Sequence, residues 1–200
     1  GSITANISAN TTSGVSIVTY TGNGTAGATV GHGLGVAPDV VWVKSRSLDN
    51  YSWCMGHGSY GWTHFFRMSE GASGTAGPTD EIGIFNDTAP SSSVVTLGNN
   101  GKANANAETY VAYCFSSVAG FSKAGSYIGN GDADGTYVYT GFKPKWIYHT
   151  GGGHRLVKYR DRIQQVGNPV GWNFLGSYPN AAEDIAGWDM DFLSNGFKLR

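Results

Sequence analysis

Residues 20–24 of this chain read YTGNG, and residues 127–131 repeat them almost letter for letter as YIGNG. Each copy is followed by glycine and proline and then by an aromatic-rich run, VVWVK at residues 40–44 and WIYH at residues 146–149. Glycine and asparagine adopt turn conformations at low cost, and the flanking runs are rich in strand-forming residues. Because the same order of signals occurs twice, the sequence predicts two related β-rich copies of one unit.

Outward from this repeat, runs of β-branched and aromatic residues recur at roughly ten-residue spacing, with almost no helical period. This spacing predicts an all-β fold, a β-sandwich of the jelly-roll or lectin-like kind. A helical turn is predicted only at residues 181–188. The predicted strands are residues 15–21, 40–46, 63–68, 82–86, 92–97, 109–116, 136–140, 146–150, 156–159, 190–193 and 197–199.

Composition suggests how the chain divides. Residues 1–14 are dominated by Asn, Ser, Thr and Gly without any period, and are interpreted as a linker or tag remnant. The first β-module is placed at residues 15–120 and the second at 121–200. The second module has no counterpart of the run at residues 109–115, TYVAYCF, so it is predicted to be incomplete or completed by packing with another strand.

Charge and hydropathy exclude some classes of protein. The formal net charge is −1, which argues against a generally basic nucleic-acid-binding protein. No apolar run reaches the roughly 18 residues of a membrane helix, so no membrane insertion is expected. The two cysteines, Cys54 and Cys114, are too few for a disulfide-dependent scaffold, and buried free thiols are favoured over a disulfide.

Motifs for catalysis are weak, and the chain is predicted not to be an enzyme. Residues 22–27 match G-x-G-x-x-G, but the next residues do not form the helix that a dinucleotide site needs, so the motif predicts a turn. The serine in HGSYG, residues 57–61, does not fit the nucleophile-elbow pattern. A glycan depolymerase that uses Glu70, Asp80 or Asp189 is the less favoured alternative, because nothing in the sequence brings two of these carboxylates together.

A candidate cation site lies at residues 130–135, NGDADG, in which oxygen donors alternate as at the start of a calcium loop. The carboxylate expected at the twelfth position is replaced by Gly141. A polar hairpin turn is therefore the favoured interpretation, with no cofactor, and Ca²⁺ bound by Asp132 and Asp134 is the alternative.

The most promising candidate binding residues are aromatic side chains in glycine-rich stretches. Sugar rings present C–H faces that stack on such side chains, while polar groups nearby hydrogen-bond the hydroxyls. Trp42 and Trp146, in clear strand patterns, are instead predicted to be core residues. The predicted ligand-binding residues are Trp53, His57, Tyr60 and Trp62 in the first copy, and Trp172, Tyr178 and Trp188 in the second.

Longer strings of the two copies resemble a repeat domain of tail-fibre-like structural proteins of marine and cyanobacterial tailed bacteriophages. They are VTYTGNGTAG, VGHGLGVAPDVVWVKSR and ETYVAYCF in the first copy, and GSYIGNGDADGTYVYTGFKP and DFLSNGFKLR in the second. The resemblance covers roughly residues 15–200. It implies an extracellular virion-surface protein with a lectin-like sandwich, and it brings no established catalytic residues.

These observations together predict a structural module of the phage tail fibre that binds host-surface glycan. Its expected partners are that glycan, other virion proteins and further copies of itself, with no nucleic acid. The main alternative is a purely structural or assembly domain that forms oligomers through its sheet edges.

Overall fold

The computed structural model describes residues 1–67, 79–80, 82–151, 154–160, 174–176 and 190–199. The chain forms two compact units. For the described residues, the division falls between Gly125 and Ser126, except that Ala119–Phe121 groups with the second unit. Each pairing between the strands that the structure describes is antiparallel, so the predicted all-β class is confirmed at this level.

The first unit contains nine strands and two one-turn helices among its described residues. A 3₁₀ turn at Gly58–Tyr60 follows the fifth strand. The elements are β1 (Ala5–Asn10), β2 (Val15–Thr21), β3 (Ala28–Gly31), β4 (Val40–Ser45), β5 (Cys54–His57), β6 (His64–Arg67), β7 (Thr79–Asp80), α1 (Ile82–Phe85), β8 (Val94–Leu97), α2 (Gly101–Asn104) and β9 (Thr109–Phe115).

Seven of these strands form one sheet in the order β1-β2-β9-β4-β5-β6-β7, and β3 and β8 form a separate ribbon. Alternate residues of each strand point to opposite faces of the sheet. The inner face contributes Val18, Val41 and Cys114 to one hydrophobic cluster, which also contains Val30 of β3 and Leu97 of β8. The ribbon therefore packs on the inner face of the sheet. The alternate side chains of each strand point to the outer face.

In the second unit the described strands form two three-stranded sheets, β10-β15-β14 and β11-β12-β13. Among the residues whose burial is described, its core contains Ile147, Met190, Phe192 and Phe197. The elements are β10 (Tyr137–Tyr139), β11 (Trp146–Gly151), β12 (His154–Arg160), β13 (Phe174–Gly176), β14 (Met190–Leu193) and β15 (Gly196–Leu199).

Equivalent pairings occur in the two units. The ribbon β3–β8 of the first unit corresponds to β10–β15 of the second, and in each the earlier strand follows the GNG turn. The meander β4–β5–β6 corresponds likewise to β11–β12–β13. The internal repeat in the sequence is thus accompanied by a repeat in strand pairing.

Two local predictions are wrong. Residues 1–14 are not a linker, because Ala5–Asn10 pairs along its whole length with β2 and Ile3 bridges to Val30. Residues 82–86 are not a strand, because Ile82–Phe85 forms a helical turn that ends at Asn86, whose φ is 53°. Burial of Ile84 and Phe85 in the first core outweighs the strand preference of these residues.

The YTGNG motif of the first unit is a structural turn. Gly22 lies close to the backbone of Ala105, so that an added Cβ would be 2.3 Å from the Ala105 carbonyl oxygen. The Tyr20 hydroxyl donates to the Ala103 carbonyl at 2.7 Å, and the Asn23 amide donates to Oδ1 of buried Asn104 at 2.9 Å. These contacts agree with the predicted turn. The backbone amide of Asn23 already donates a hydrogen bond to the Asn104 side chain.

Both cysteines are free and buried, as predicted, and burial raises the pKa of the Cys114 thiol to about 12. Within the described ranges, none of the helices is long and apolar enough to cross a membrane.

Candidate functional site

An aromatic row crosses the outer face of the seven-stranded sheet. Tyr113 of β9 lies opposite Trp42 of β4, Trp42 opposite Met55 of β5, and Met55 opposite Phe66 of β6. On β2, Ile17 continues the row beside Tyr113 and is 43% exposed. We call these residues, together with their ring-stacking neighbours Trp53, His57, Tyr60 and Phe115, the outer aromatic face.

Around β9, the aromatic side chains of this face pack against one another. Trp42 packs edge-on against Phe115, with centroids 5.0 Å apart. Trp53, which precedes β5, packs against Tyr113 at 5.9 Å. All four rings are half-buried, so each one presents some surface to solvent. Rings held by neighbouring rings lose little freedom on binding, which suits them to stack on a ligand.

A second group of rings lies at the other end of β5. Tyr60, on the 3₁₀ turn, is 41% exposed and packs edge-on against buried Phe66 with centroids 4.9 Å apart. His57 lies 6.2 Å from the Tyr60 ring. Tyr60 is therefore an exposed aromatic side chain that packs on the buried ring of Phe66.

His57 has a defined protonation state in this position. Its Nδ1 accepts a hydrogen bond from the Ser59 amide at 3.1 Å. Burial lowers the pKa of His57, and the nearby Asp39 carboxylate partly opposes this effect. A neutral ring with an acceptor Nδ1 has its proton on Nε2, where it can donate to a hydroxyl group.

The structure places three of the predicted binding residues, Trp53, His57 and Tyr60, on this outer face. Trp62 is different: it is 8% exposed, belongs to the first core and packs edge-on against Phe85 at 5.3 Å. The reason is Gly56, where an added Cβ would lie 2.5 Å from the Trp62 ring. The assignment of Trp62 to an exposed site is therefore corrected.

The core prediction for the two strand tryptophans also needs correction. Trp42 is half-buried on the outer aromatic face, and Trp146 is 50% exposed. Sequence reasoning did not include Tyr113 and Phe115 among the binding candidates. The alternation in β9 was the available signal, because these residues flank Cys114 and must point to the opposite face.

Several candidates lie outside the described residues, namely Trp172, Tyr178, Trp188, Glu70 and Asp189. The backbone of Asp80 is part of β7, but its side chain is also outside the described part of the structure.

The loop at residues 130–135 is organised by hydrogen bonds within the protein. Oδ1 of Asp132 accepts from the Asp134 amide at 2.9 Å, and Oδ1 of Asn130 accepts from the Asp132 amide at 3.3 Å. Lys198 pairs with the Asp134 carboxylate at 2.5 Å. In the described part of the chain no group of three or more metal-ligating side chains is present. These bonds fit a polar turn better than a calcium site at Asp132 and Asp134.

Comparison of the chain with curated proteins and with solved structures gave no match. A family model does match, and it spans residues 1–200. The chain therefore belongs to the family described as a domain of unknown function, DUF7483.

Proposed function

We propose that this chain is a non-enzymatic module of a tailed-phage fibre that binds host-surface glycan through the outer aromatic face. The proposed location is the virion tail, outside the host cell, with other virion proteins and further copies of the chain as neighbours. The resemblance of the repeated sequence strings to phage tail-fibre repeats supports this setting.

The observation that carries the proposal is the outer aromatic face itself. Trp53 and Tyr60 present ring surface at two ends of β5, and His57 between them offers an Nε2 donor. Sugars are bound in proteins by this combination of a ring face and convergent hydrogen-bonding groups. The seven-stranded sheet beneath supplies a rigid support, so binding requires little ordering of the protein.

The finer fold that we propose is a lectin-like sandwich. Its support is the arrangement of the first unit, in which the ribbon β3–β8 covers one face of the seven-stranded sheet. Packing of two sheets about a shared apolar layer is the defining property of sandwiches.

A glycan array of host-surface polysaccharides tests the proposal directly. Tyr60→Ala and Trp53→Ala are each expected to weaken binding by about five- to ten-fold, because each removes a stacking surface worth ~1 kcal/mol. Phe121→Ala is the matched control, since Phe121 is an aromatic residue with 61% exposure that is not one of the residues of the outer aromatic face. Binding that is absent, or equal for all three variants and the parent, would contradict the proposal.

A calcium-depletion arm separates this site from the loop at residues 130–135. Because Lys198 already neutralises Asp134, we expect EDTA to leave glycan binding unchanged. Loss of binding on EDTA treatment, restored by Ca²⁺, would instead favour a cation-dependent site.

The second candidate is a structural role in which copies assemble through sheet edges. It is favoured by β1, which is the first strand in the order of its sheet and has no charged residue or proline. Charged residues and proline normally protect an edge strand from pairing with another chain, and β1 has neither. Ser8→Lys should lower the oligomer mass measured by light scattering, whereas Ser8→Thr should not. An unchanged mass in Ser8→Lys would argue against edge assembly at β1.

A further inference from the structure

The imidazole of His57 caps the 3₁₀ turn at Gly58–Tyr60. Its Nδ1 accepts a hydrogen bond from the Ser59 amide at 3.1 Å, so His57 is the N-cap of the turn. At the other end, the Gly61 amide donates to the Gly58 carbonyl at 3.2 Å. So short a turn makes few hydrogen bonds, and each one therefore matters for holding its conformation.

The position of the Tyr60 ring depends on this turn. Tyr60 is the last residue of the turn, and its exposed ring packs edge-on against buried Phe66. His57 is the last residue of β5 and pairs with Val40 of β4, so the sheet fixes its backbone. The hydrogen bond from Ser59 to Nδ1 therefore connects a rigid strand to the segment that carries the exposed ring.

Histidine differs from the usual N-cap residues because its acceptor atom binds a proton near neutral pH. Serine, threonine and asparagine cap through an oxygen that remains an acceptor in this range. A proton on Nδ1 of His57 converts the acceptor into a donor that faces the donor N–H of Ser59. Nε2 carries a proton in both states, so acid removes the cap and leaves the Nε2 donor in place.

Two opposing effects set the pH at which this change occurs. Burial lowers the pKa of His57 from its ordinary value of about 6.5, and the negative charge of Asp39 opposes this effect. The Tyr60 hydroxyl is the other titratable group that the described structure places beside the imidazole, since the opposite residue, Val40, has none. We therefore expect the cap to be complete above about pH 6.5 and to be lost as the pH falls below that value.

We propose that His57 is a positioning residue that makes glycan binding on the outer aromatic face depend on pH. With Nδ1 unprotonated, the capped turn holds the Tyr60 ring on Phe66, where it can stack on a sugar. With Nδ1 protonated, the cap is broken and Tyr60 no longer presents a fixed surface. This inference rests on the proposed function, but the state of the turn can be measured without any ligand.

An NMR titration of the full chain without glycan tests the cap directly. The Ser59 amide resonance and the Tyr60 ring resonances should move together as the pH is lowered. Their midpoint should coincide with that of the His57 ring and lie below the ordinary histidine pKa of about 6.5. The exchange of the Gly61 amide with solvent, corrected for its intrinsic pH dependence, should accelerate about five-fold in the acid state.

Three variants separate the cap from the imidazole. His57→Asn keeps an acceptor that does not titrate, so the Tyr60 resonances should retain their capped positions in acid. His57→Ala removes the acceptor, and these resonances should stay near their acid positions at every pH. Asp39→Asn removes a charge that favours the protonated ring, so the midpoint should shift to lower pH.

Glycan affinity provides the second measurement. The parent chain should bind about five-fold more weakly at about pH 5 than at about pH 7.5, because the Tyr60 surface is lost. His57→Asn lacks the Nε2 donor and should bind more weakly throughout, but its affinity should change less than about two-fold between these conditions. Tyr60→Ala should lose the pH dependence, because the ring that the cap positions is absent.

Two results would overturn the proposal. The first is a Ser59 amide and a Tyr60 ring that do not respond when the His57 ring titrates, whether or not any glycan binds. The second is a His57→Asn chain that keeps the pH dependence of the parent. If no glycan binds at any pH while Tyr60 still follows His57, the titrating turn is confirmed and the proposed function is contradicted. Thermal melting at both pH values verifies that each variant is folded.

Discussion

His32 is a buried titratable residue whose hydrogen bonds identify its tautomer. It is 0% exposed, its Nδ1 accepts from the Leu34 amide at 3.3 Å, and its Nε2 lies 3.2 Å from the Ser91 carbonyl oxygen. Since a carbonyl only accepts, Nε2 carries the proton and the ring is neutral. Burial lowers the pKa of His32, although the hydrogen bond to Ser91 acts in the opposite direction.

We expect the stability of the chain to fall as the pH drops below the ordinary histidine pKa of about 6.5. In that range the unfolded chain binds a proton at His32 that the folded chain resists, so the free energy of unfolding decreases. Urea unfolding at pH 7.5 and 5.5 measures this difference. His32→Gln should reduce the pH dependence more than His57→Gln, since His57 is only half-buried. An equal slope in His32→Gln and the parent would contradict the assignment.

Tyr110 should contribute to stability through its hydroxyl group. The hydroxyl donates to the Gly101 carbonyl at 2.7 Å and accepts from the Ala105 amide at 2.8 Å, and the ring stacks on Tyr20. Tyr110→Phe is expected to lower the free energy of unfolding by about 1–3 kcal/mol, because two partly buried backbone groups lose their hydrogen-bond partner. Tyr113→Phe, on the outer face of the same strand, is the control and should change it by less than ~0.5 kcal/mol.

Single-residue predictions of the site were partly successful for a physical reason. Trp53, His57 and Tyr60 do share one face, but Trp62 has the same glycine- and aromatic-rich surroundings and is buried. Glycine occurs in exposed turns and also where a large ring approaches the backbone closely, as at Gly56. Composition alone cannot distinguish these two roles.

At the scale of elements, strands with an alternating pattern were predicted well and polar edge strands were not. In β9, every second residue from Tyr110 to Cys114 is buried, which produces a clear period of two. In β1 five of the six residues are exposed and only Ala5 is partly buried, so no period exists to detect. Its strand conformation depends on backbone pairing with β2, which leaves no signal in the side chains.

The N-terminal segment provides the corresponding test. Ile3 is 8% exposed in the first core, whereas Ile7 of β1 is 46% exposed. Ile3→Ala should lower the free energy of unfolding by about 2–5 kcal/mol, as expected for a buried isoleucine. Ile7→Ala should cost less than ~1 kcal/mol, because its side chain is already largely hydrated. Equal, small effects in urea unfolding would mean that this segment does not contribute to the fold.

At the scale of the whole molecule, the fold class followed from strand spacing, but the strand order did not. In the seven-stranded sheet, β9 separates β2 from β4, although about ninety residues of sequence lie between β2 and β9. Such non-local pairing depends on which faces become buried together, and that is not visible in a local pattern. The repeat in the sequence did indicate that pairings would recur, as β3–β8 and β10–β15 do.

The two hydrophobic clusters lead to a test at this scale. Phe197→Ala removes a ring from the cluster around Met190, and it should destabilise the second unit by about 3–5 kcal/mol. Hydrogen exchange should then accelerate at β14 and β15 amides. The amides of β4 should be unaffected, because the first cluster contains none of these side chains. Uniform acceleration along the chain would show that both units unfold as one.

The buried thiols have a practical consequence. Cys54 and Cys114 are both at most 1% exposed, and the high pKa of Cys114 keeps its sulfur protonated at neutral pH. Thiol-directed reagents need an accessible thiolate, so the folded chain should be unreactive towards maleimides. One cysteine introduced at an exposed position such as Phe121 would then take up a fluorophore or spin label selectively, with both native cysteines left in place.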